Sequence, residues 1–197
     1  MLEARKRWWK ELLFSKTLVN KSKAHKLAYV AVMTALCVVA NMYEIPAGIT
    51  QFSLTLVVTA LSGVIIGPIF GFAAGFLGDV VGFLYHPKGE YLITLSLAAG
   101  LFALLAGLIM NGIDSKGKPW LFYGKIGAVC LSTFLVCTVG ITTTTFWVLY
   151  AKVDYWTYLI ARLFAQFQIL NSLFNYALLF IAIPTLIRIK ALKIKLD

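Results

Sequence analysis

Charge is the first thing this sequence lacks. Charged side chains make up 13% of its 197 residues, about half of the ~25% usual in globular domains. None falls within 52–78, 91–113 or 126–151. A soluble helical domain needs a polar face at 3.6-residue spacing, and these stretches are apolar all round, which excludes a soluble core protein. Histidine and cysteine are nearly as scarce. His25 and His86 sit at the ends of apolar stretches, while Cys37, Cys130 and Cys137 lie inside them, with no CxxC or His–Cys grouping. That spacing excludes a disulfide framework and a metal centre and leaves small core residues. No P-loop, HExxH, transmembrane Glu pair or Ser–His constellation is present, so the chain is not expected to be an enzyme or to hydrolyse ATP itself. No cofactor and no nucleic-acid partner are expected. The first 26 residues are too charged for a signal peptide and lack a small-residue cleavage site.

What is present is aliphatic, in runs of the roughly 20 residues that a bilayer core requires of a helix. Six spans are predicted, near 27–44, 51–66, 68–85, 91–111, 122–150 and 157–188. The expected fold is an all-α integral membrane protein, a compact bundle of six transmembrane helices over 27–197, preceded by a basic amphipathic segment, 1–26. In that segment Arg5, Lys6, Arg7 and Lys10 interleave with Trp8, Trp9, Leu12, Leu13 and Phe14. An interfacial helix and a disordered basic tail both fit this composition. Only Gly67-Pro68 separates the second and third spans, a helical hairpin whose turn barely leaves the membrane or a bend buried in protein. With six spans, fifteen of the eighteen Lys and Arg gather on the side of the two termini, and Lys88, Lys152 and Arg162 remain on the other. The excess of cations predicts cytoplasmic termini, with loops 44–50, 85–90 and 151–156 outside.

Small and polar residues are patterned within the spans. Gly67, Gly71, Gly75, Gly78 and Gly82 share one helix face, which predicts close backbone packing. Asp79 stands one turn after Gly75. A carboxylate at that depth costs about 2.5–3.5 kcal/mol on insertion scales, so it needs a partner or water, as a helix-locking hydrogen bond or a functional group. Ala24, Ala28, Ala31 and Ala35 form a smooth ladder on the first span, open equally to internal packing and to a partner helix. Hydrogen-bonding side chains crowd the outer half: Gln51, Ser53 and Thr55; Tyr91, Thr94 and Ser96; Thr142 to Thr145; Arg162, Gln166, Gln168, Asn171, Ser172 and Asn175. Four segments enriched at one depth predict a shared cavity open to the outside. Phe52, Trp147 and other rings at that level offer a stacking surface. Arg162 is the one cation plausibly inside the outer bundle, with a fork that matches carboxylates. The candidate binding residues are Gln51, Phe52, Ser53, Asp79, Thr94, Thr144, Trp147, Arg162, Gln166 and Asn171.

Six spans in under 200 residues, Ala31-x-x-x-Ala35, and the run Gly67-Pro68-Ile69-Phe70-Gly71-Phe72-Ala73-Ala74-Gly75-Phe76-Leu77-Gly78-Asp79-Val80-Val81-Gly82 resemble the substrate-binding S components of energy-coupling-factor (ECF) vitamin transporters. The similarity covers most of 27–188. The loop Ile45 to Leu54, the outer Pro87-Lys88-Gly89 turn and the Arg162-containing start of the last span are similar to the folate family in particular. The resemblance implies a multi-pass subunit of a prokaryotic cell membrane that binds a vitamin from outside, folate or a reduced folate first. Riboflavin, thiamine, a queuosine precursor or a ligand-free membrane scaffold are the alternatives. It implies as partners a membrane T component and two ATPase subunits that power transport. Ala28, Ala31 and Ala35 would slide on the T component while the S component topples.

Overall fold

The computed structural model describes residues 14–15, 18–47, 50–87, 89–112 and 119–188. Helix α1, Lys23–Met42, begins where Ser22 accepts a hydrogen bond from the His25 amide, 3.4 Å, as a helix N-cap. Beyond Tyr43 the chain turns extended. Strand β1, Glu44–Ala47, pairs antiparallel with β2, Thr50–Ser53, in a register that sets Glu44 opposite Ser53 and Ala47 opposite Thr50. Helices α2, Thr55–Ile66, and α3, Pro68–Tyr85, are parted only by Gly67 at φ +110, with Pro68 preset for the first turn of α3. Helix α4 runs Ile93–Gly112. Helix α5, Pro119–Tyr150, is α-helical to Thr133, π-helical over Phe134–Thr143 and α-helical again from Thr144. Helix α6, Tyr155–Ile160, continues as a π turn over Ala161–Ala165, and α7 spans Gln168–Arg188.

Among the described residues five helices are long and apolar enough to cross a membrane, with α2 a shorter apolar sixth. The chain is a multi-pass integral membrane protein whose outer surface carries bare aliphatic groups, Leu27 at 72% and Leu84 at 73% exposure among them. Two expected spans are corrected. The second starts at Thr55, because 51–53 pair as a strand, and its 12 residues reach only about 18 Å. The sixth is broken at Gln166 and Phe167, where Phe167 adopts φ +53 and interrupts the helical ladder.

Glycine sets the spacing between the helices. A methyl group on Gly63 of α2 would collide with the Ala103 carbonyl of α4, and one on Gly78 of α3 would stand 2.5 Å from the Cys37 Cβ of α1. At those distances dispersion contacts run backbone to backbone, which stabilises association where lipid offers no hydrophobic drive. Phe102, Ala106, Met110, Ile126, Val129, Leu179 and Ile183 fill the core between α4, α5 and α7. The bend at Gly67 is buried in protein: Ser15 donates from its amide to the Ile66 carbonyl, 3.2 Å, and from its hydroxyl to the Ile65 carbonyl, 2.5 Å. Of the amino-terminal segment, 1–13, 16 and 17 lie outside the described residues; 18–20 form a turn and 23–26 open α1.

Candidate functional site

The ends of α1 and α3, the starts of α2, α4 and α7, the second half of α5 and the π turn of α6 converge on one cavity of about 490 Å³. Its charged wall is built around Asp79. Asn41 donates to Asp79 Oδ1 at 2.6 Å and Ser96 to Oδ2 at 2.6 Å. Because the single Ser96 proton is committed to the carboxylate, Tyr91 is the donor in its 2.9 Å bond to Ser96 Oγ. Asn41 on one side and the Tyr91–Ser96 relay on the other thus support one acidic group, and these bonds tie α1, α3 and α4 together at this end. The Tyr91 ring leans on Phe83, 5.2 Å between centroids.

The opposite wall belongs to α5, α6 and α7. The Arg162 guanidinium lies over the Phe146 ring at 4.4 Å, a cation–π contact, and its Nε is buried without a hydrogen-bond partner. Leaving such a donor unpaired carries a desolvation cost that a bound acceptor would relieve. Tyr150 donates to Glu90 Oε2 at 3.1 Å and joins α5 to the segment before α4. Asn175 donates to the Asn171 side-chain oxygen at 3.0 Å, and Asn171 lines the cavity.

Of the candidate binding residues, Ser53, Asp79, Arg162 and Asn171 line this cavity together. Of the rest, Thr144, Trp147, Gln166 and Thr94 lie outside the described lining. Thr144 is exposed on the far side of α5, and Thr142 lines the cavity in its place. A π-helix closes its turn over more residues than 3.6, so the facing side chains cannot be counted off by α periodicity. Trp147 turns away, donating to the Val153 carbonyl at 2.9 Å and pinning the turn after α5. Gln166 is exposed at the helix break, its amide bound to the Ala161 carbonyl at 3.1 Å, and Gln168 lines the cavity instead. Thr94 is partly buried outside the lining, its hydroxyl unpaired. Gln51 and Phe52 lie in β2, and their side chains fall outside the described residues, as does Lys88. Asn41 escaped the sequence reading, although an amide in an apolar span four residues from Cys37 is a signal of the same kind as Asp79. The aromatic lining by Phe83, Phe102 and Phe146 needed the fold.

Ala28, Ala31 and Ala35 are exposed along one side of α1, while Met33 and Cys37 face the interior. Internal packing therefore does not account for the ladder. The face is free.

The family described as "ECF-type riboflavin transporter, S component" matches residues 21–193. A "UPF0397 protein" of Streptococcus gordonii is 42% identical over 79 residues, 39% of this chain; the chain spans 42% of that relative's length. Among solved structures, the crystal structure of FolT bound with folic acid superposes with a TM-score of 0.61 at 20% identity, covering 78% of this chain and 89% of that one. At that identity the likeness is one of fold.

Proposed function

This chain belongs to the ECF-type S-component family, a non-catalytic class of membrane transport subunits, and we propose that it is the binding subunit for riboflavin or a closely related flavin in an ATP-driven importer. The family match supports riboflavin, weighed above as an alternative, better than folate. The observation that carries the choice is the charge of the cavity: among the described lining residues Asp79 and Glu90 set two carboxylates against one guanidinium, Arg162. A folate brings two carboxylates of its own, which that balance repels. A neutral flavin brings ring carbonyls for the Arg162 and Asn171 donors, a ring N–H for Asp79, and a flat face for Phe146, Tyr91 or Phe83. A T component and two ATPases would be the partners, met on the exposed alanine face, and the cation count supports cytoplasmic termini.

Folate remains the second reading, carried by the buried, unpaired Nε of Arg162, which suits a carboxylate fork. Titration of the purified protein by flavin fluorescence and by calorimetry separates the two. Riboflavin is expected to bind and folate not. Arg162→Ala should weaken riboflavin about 10-fold to 150-fold, since hydrogen bonds from a charged donor contribute about 1.5–3 kcal/mol. If folate binds instead, and Arg162→Ala weakens folate but spares pteroic acid, which lacks the glutamate, the second reading replaces the first. Binding of neither ligand, by protein that retains its helical spectrum, would remove both.

A further inference from the structure

The described part of the amino-terminal segment is built into the fold at the end of the bundle away from the cavity. Ser15 is fully buried and closes the frayed carbonyls of Ile65 and Ile66, where Gly67 ends α2. Leu18 is fully buried in the core cluster. Phe14 stacks on Phe70 of α3, with 4.5 Å between centroids. Lys26, on the first turn of α1, donates to the Val19 carbonyl at 2.9 Å and lies over the Phe14 ring at 4.6 Å. One short stretch therefore touches the end of α2, the start of α3 and the start of α1. A side chain on Gly67 would have no room: its Cβ would stand 2.5 Å from the Ser15 nitrogen. Residues 14–20 precede the residues that match the family, 21–193.

At the opposite end α1 is tied to the same helix, through Asn41 and Asp79 at 2.6 Å, and between the two ties Gly78 lets it lie against α3 at Cys37. The outward alanines of α1 carry none of these contacts. We propose that Phe14, Ser15 and residues 18–26 act as a strap that clamps the far end of α1 onto the α2–α3 bend, so that α1 and α3 move as one rigid lever between the cavity and the alanine face. Without the strap, α1 would keep the Asn41 tie and the packing of Met33, Tyr29 and Val30 on the core but lose the hold on its first turn at Lys26, and force applied to the alanine face would bend that turn away instead of moving the cavity. The strap leaves that face uncovered, which makes it a brace and not a plug. Its bearing on transport rests on the reading of the chain as an S component; its bearing on α1 does not.

The test uses the full chain carrying Phe14→Ala with Leu18→Ser. Spin labels at exposed Leu27 on α1 and Ile69 on α3 report the strapped end, and labels at Val39 and Leu84 report the cavity end. A narrow distance distribution should broaden at the first pair and stay narrow at the second. In vesicles with the T component and ATPases, vitamin affinity should hold within about twofold while uptake falls about tenfold, within the usual range of coupling between sites. A chain with Phe14→Cys and Phe70→Cys, bridged by a short bis-maleimide after the three native cysteines are replaced by Ala, should transport better than the unbridged one, which lacks the Phe14–Phe70 stack. An unchanged Leu27–Ile69 distribution overturns the brace whatever transport does. Equal loss of affinity and uptake would make the strap a support of the general fold only. Loss of uptake on bridging would mean a latch that has to open. Should the unaltered chain show no uptake at all, the S-component importer reading fails, and the spin-label pair still decides the brace.

Discussion

Asp79 is the residue on which most of the polar wall depends, and its environment makes a sharp distinction between two substitutions. Both carboxylate oxygens accept from protein donors, Asn41 and Ser96, each at 2.6 Å. Asp79→Ala removes the acceptor of both bonds in a part-buried site, at about 1–3 kcal/mol for each. Asp79→Asn does not have to. Its oxygen can take the Asn41 bond, while its NH₂ donates to Ser96, whose hydroxyl then turns to donate to Tyr91. The expected result is a large drop in thermal unfolding temperature for Asp79→Ala in detergent and a small one for Asp79→Asn. Equal drops would show that the negative charge itself, and not the hydrogen-bond count, holds α1, α3 and α4 at this point. An acid in an apolar run is legible from sequence because its cost is intrinsic. Its partners were not, since Asn41 lies 38 positions away and meets it only because Gly78 and Gly82 let α1 approach.

At the scale of elements, the glycine pattern was legible as close packing, but not which helix would come close. Gly63, outside the five glycines read as a face, makes the tightest approach, onto the Ala103 carbonyl. A backbone carbonyl cannot swing aside as a side chain would, so Gly63→Ala should force α2 and α4 apart and cost about 1–3 kcal/mol. Thermal unfolding of Gly63→Ala beside Gly124→Ala measures this, because a Cβ at Gly124 meets nothing within 4 Å. If the two melt alike, the α2–α4 contact is looser than it stands here. Lys125 shows the same limit of sequence reading from the other direction. It is one of the fifteen cations counted on the side of the termini, yet it is 2% exposed and donates to the Met110 carbonyl at 3.4 Å near the end of α4. A cation at a helix C-terminus answers both the free carbonyls and the dipole. Nothing within α5 alone announces that the end of α4 lies opposite.

At the scale of the whole molecule, one end of the bundle is polar and hollow, and one side, α1, is smooth and bare. Ala31→Trp and Ala35→Trp add bulk to a face that is exposed among the described residues. They should leave vitamin affinity within about twofold and abolish ATP-dependent uptake with the T component and ATPases, because close helix approach tolerates only small residues. Normal uptake by both variants would mean that the alanine face meets lipid alone. Reduced vitamin affinity in the isolated variants would instead place the effect within the bundle.

What followed from the sequence alone is what depends on composition and local periodicity: a membrane bundle, a break at Gly67-Pro68, polar groups crowded toward one end, Asp79 as a costly group in need of a partner and Arg162 as a cation inside the bundle. Each of these is a transfer cost, paid residue by residue, and so can be read without knowing the neighbours. What only the tertiary structure decided is which side chains share the cavity. Thr142 replaced Thr144 and Gln168 replaced Gln166 because the π-helical segment and the break at Phe167 reset the helical phase. That phase is decided by how α5, α6 and α7 pack, not by a signal in the residues themselves. The docking of Ser15 on the end of α2 is of the same kind: two carbonyls left open by Gly67 found a donor fifty residues away.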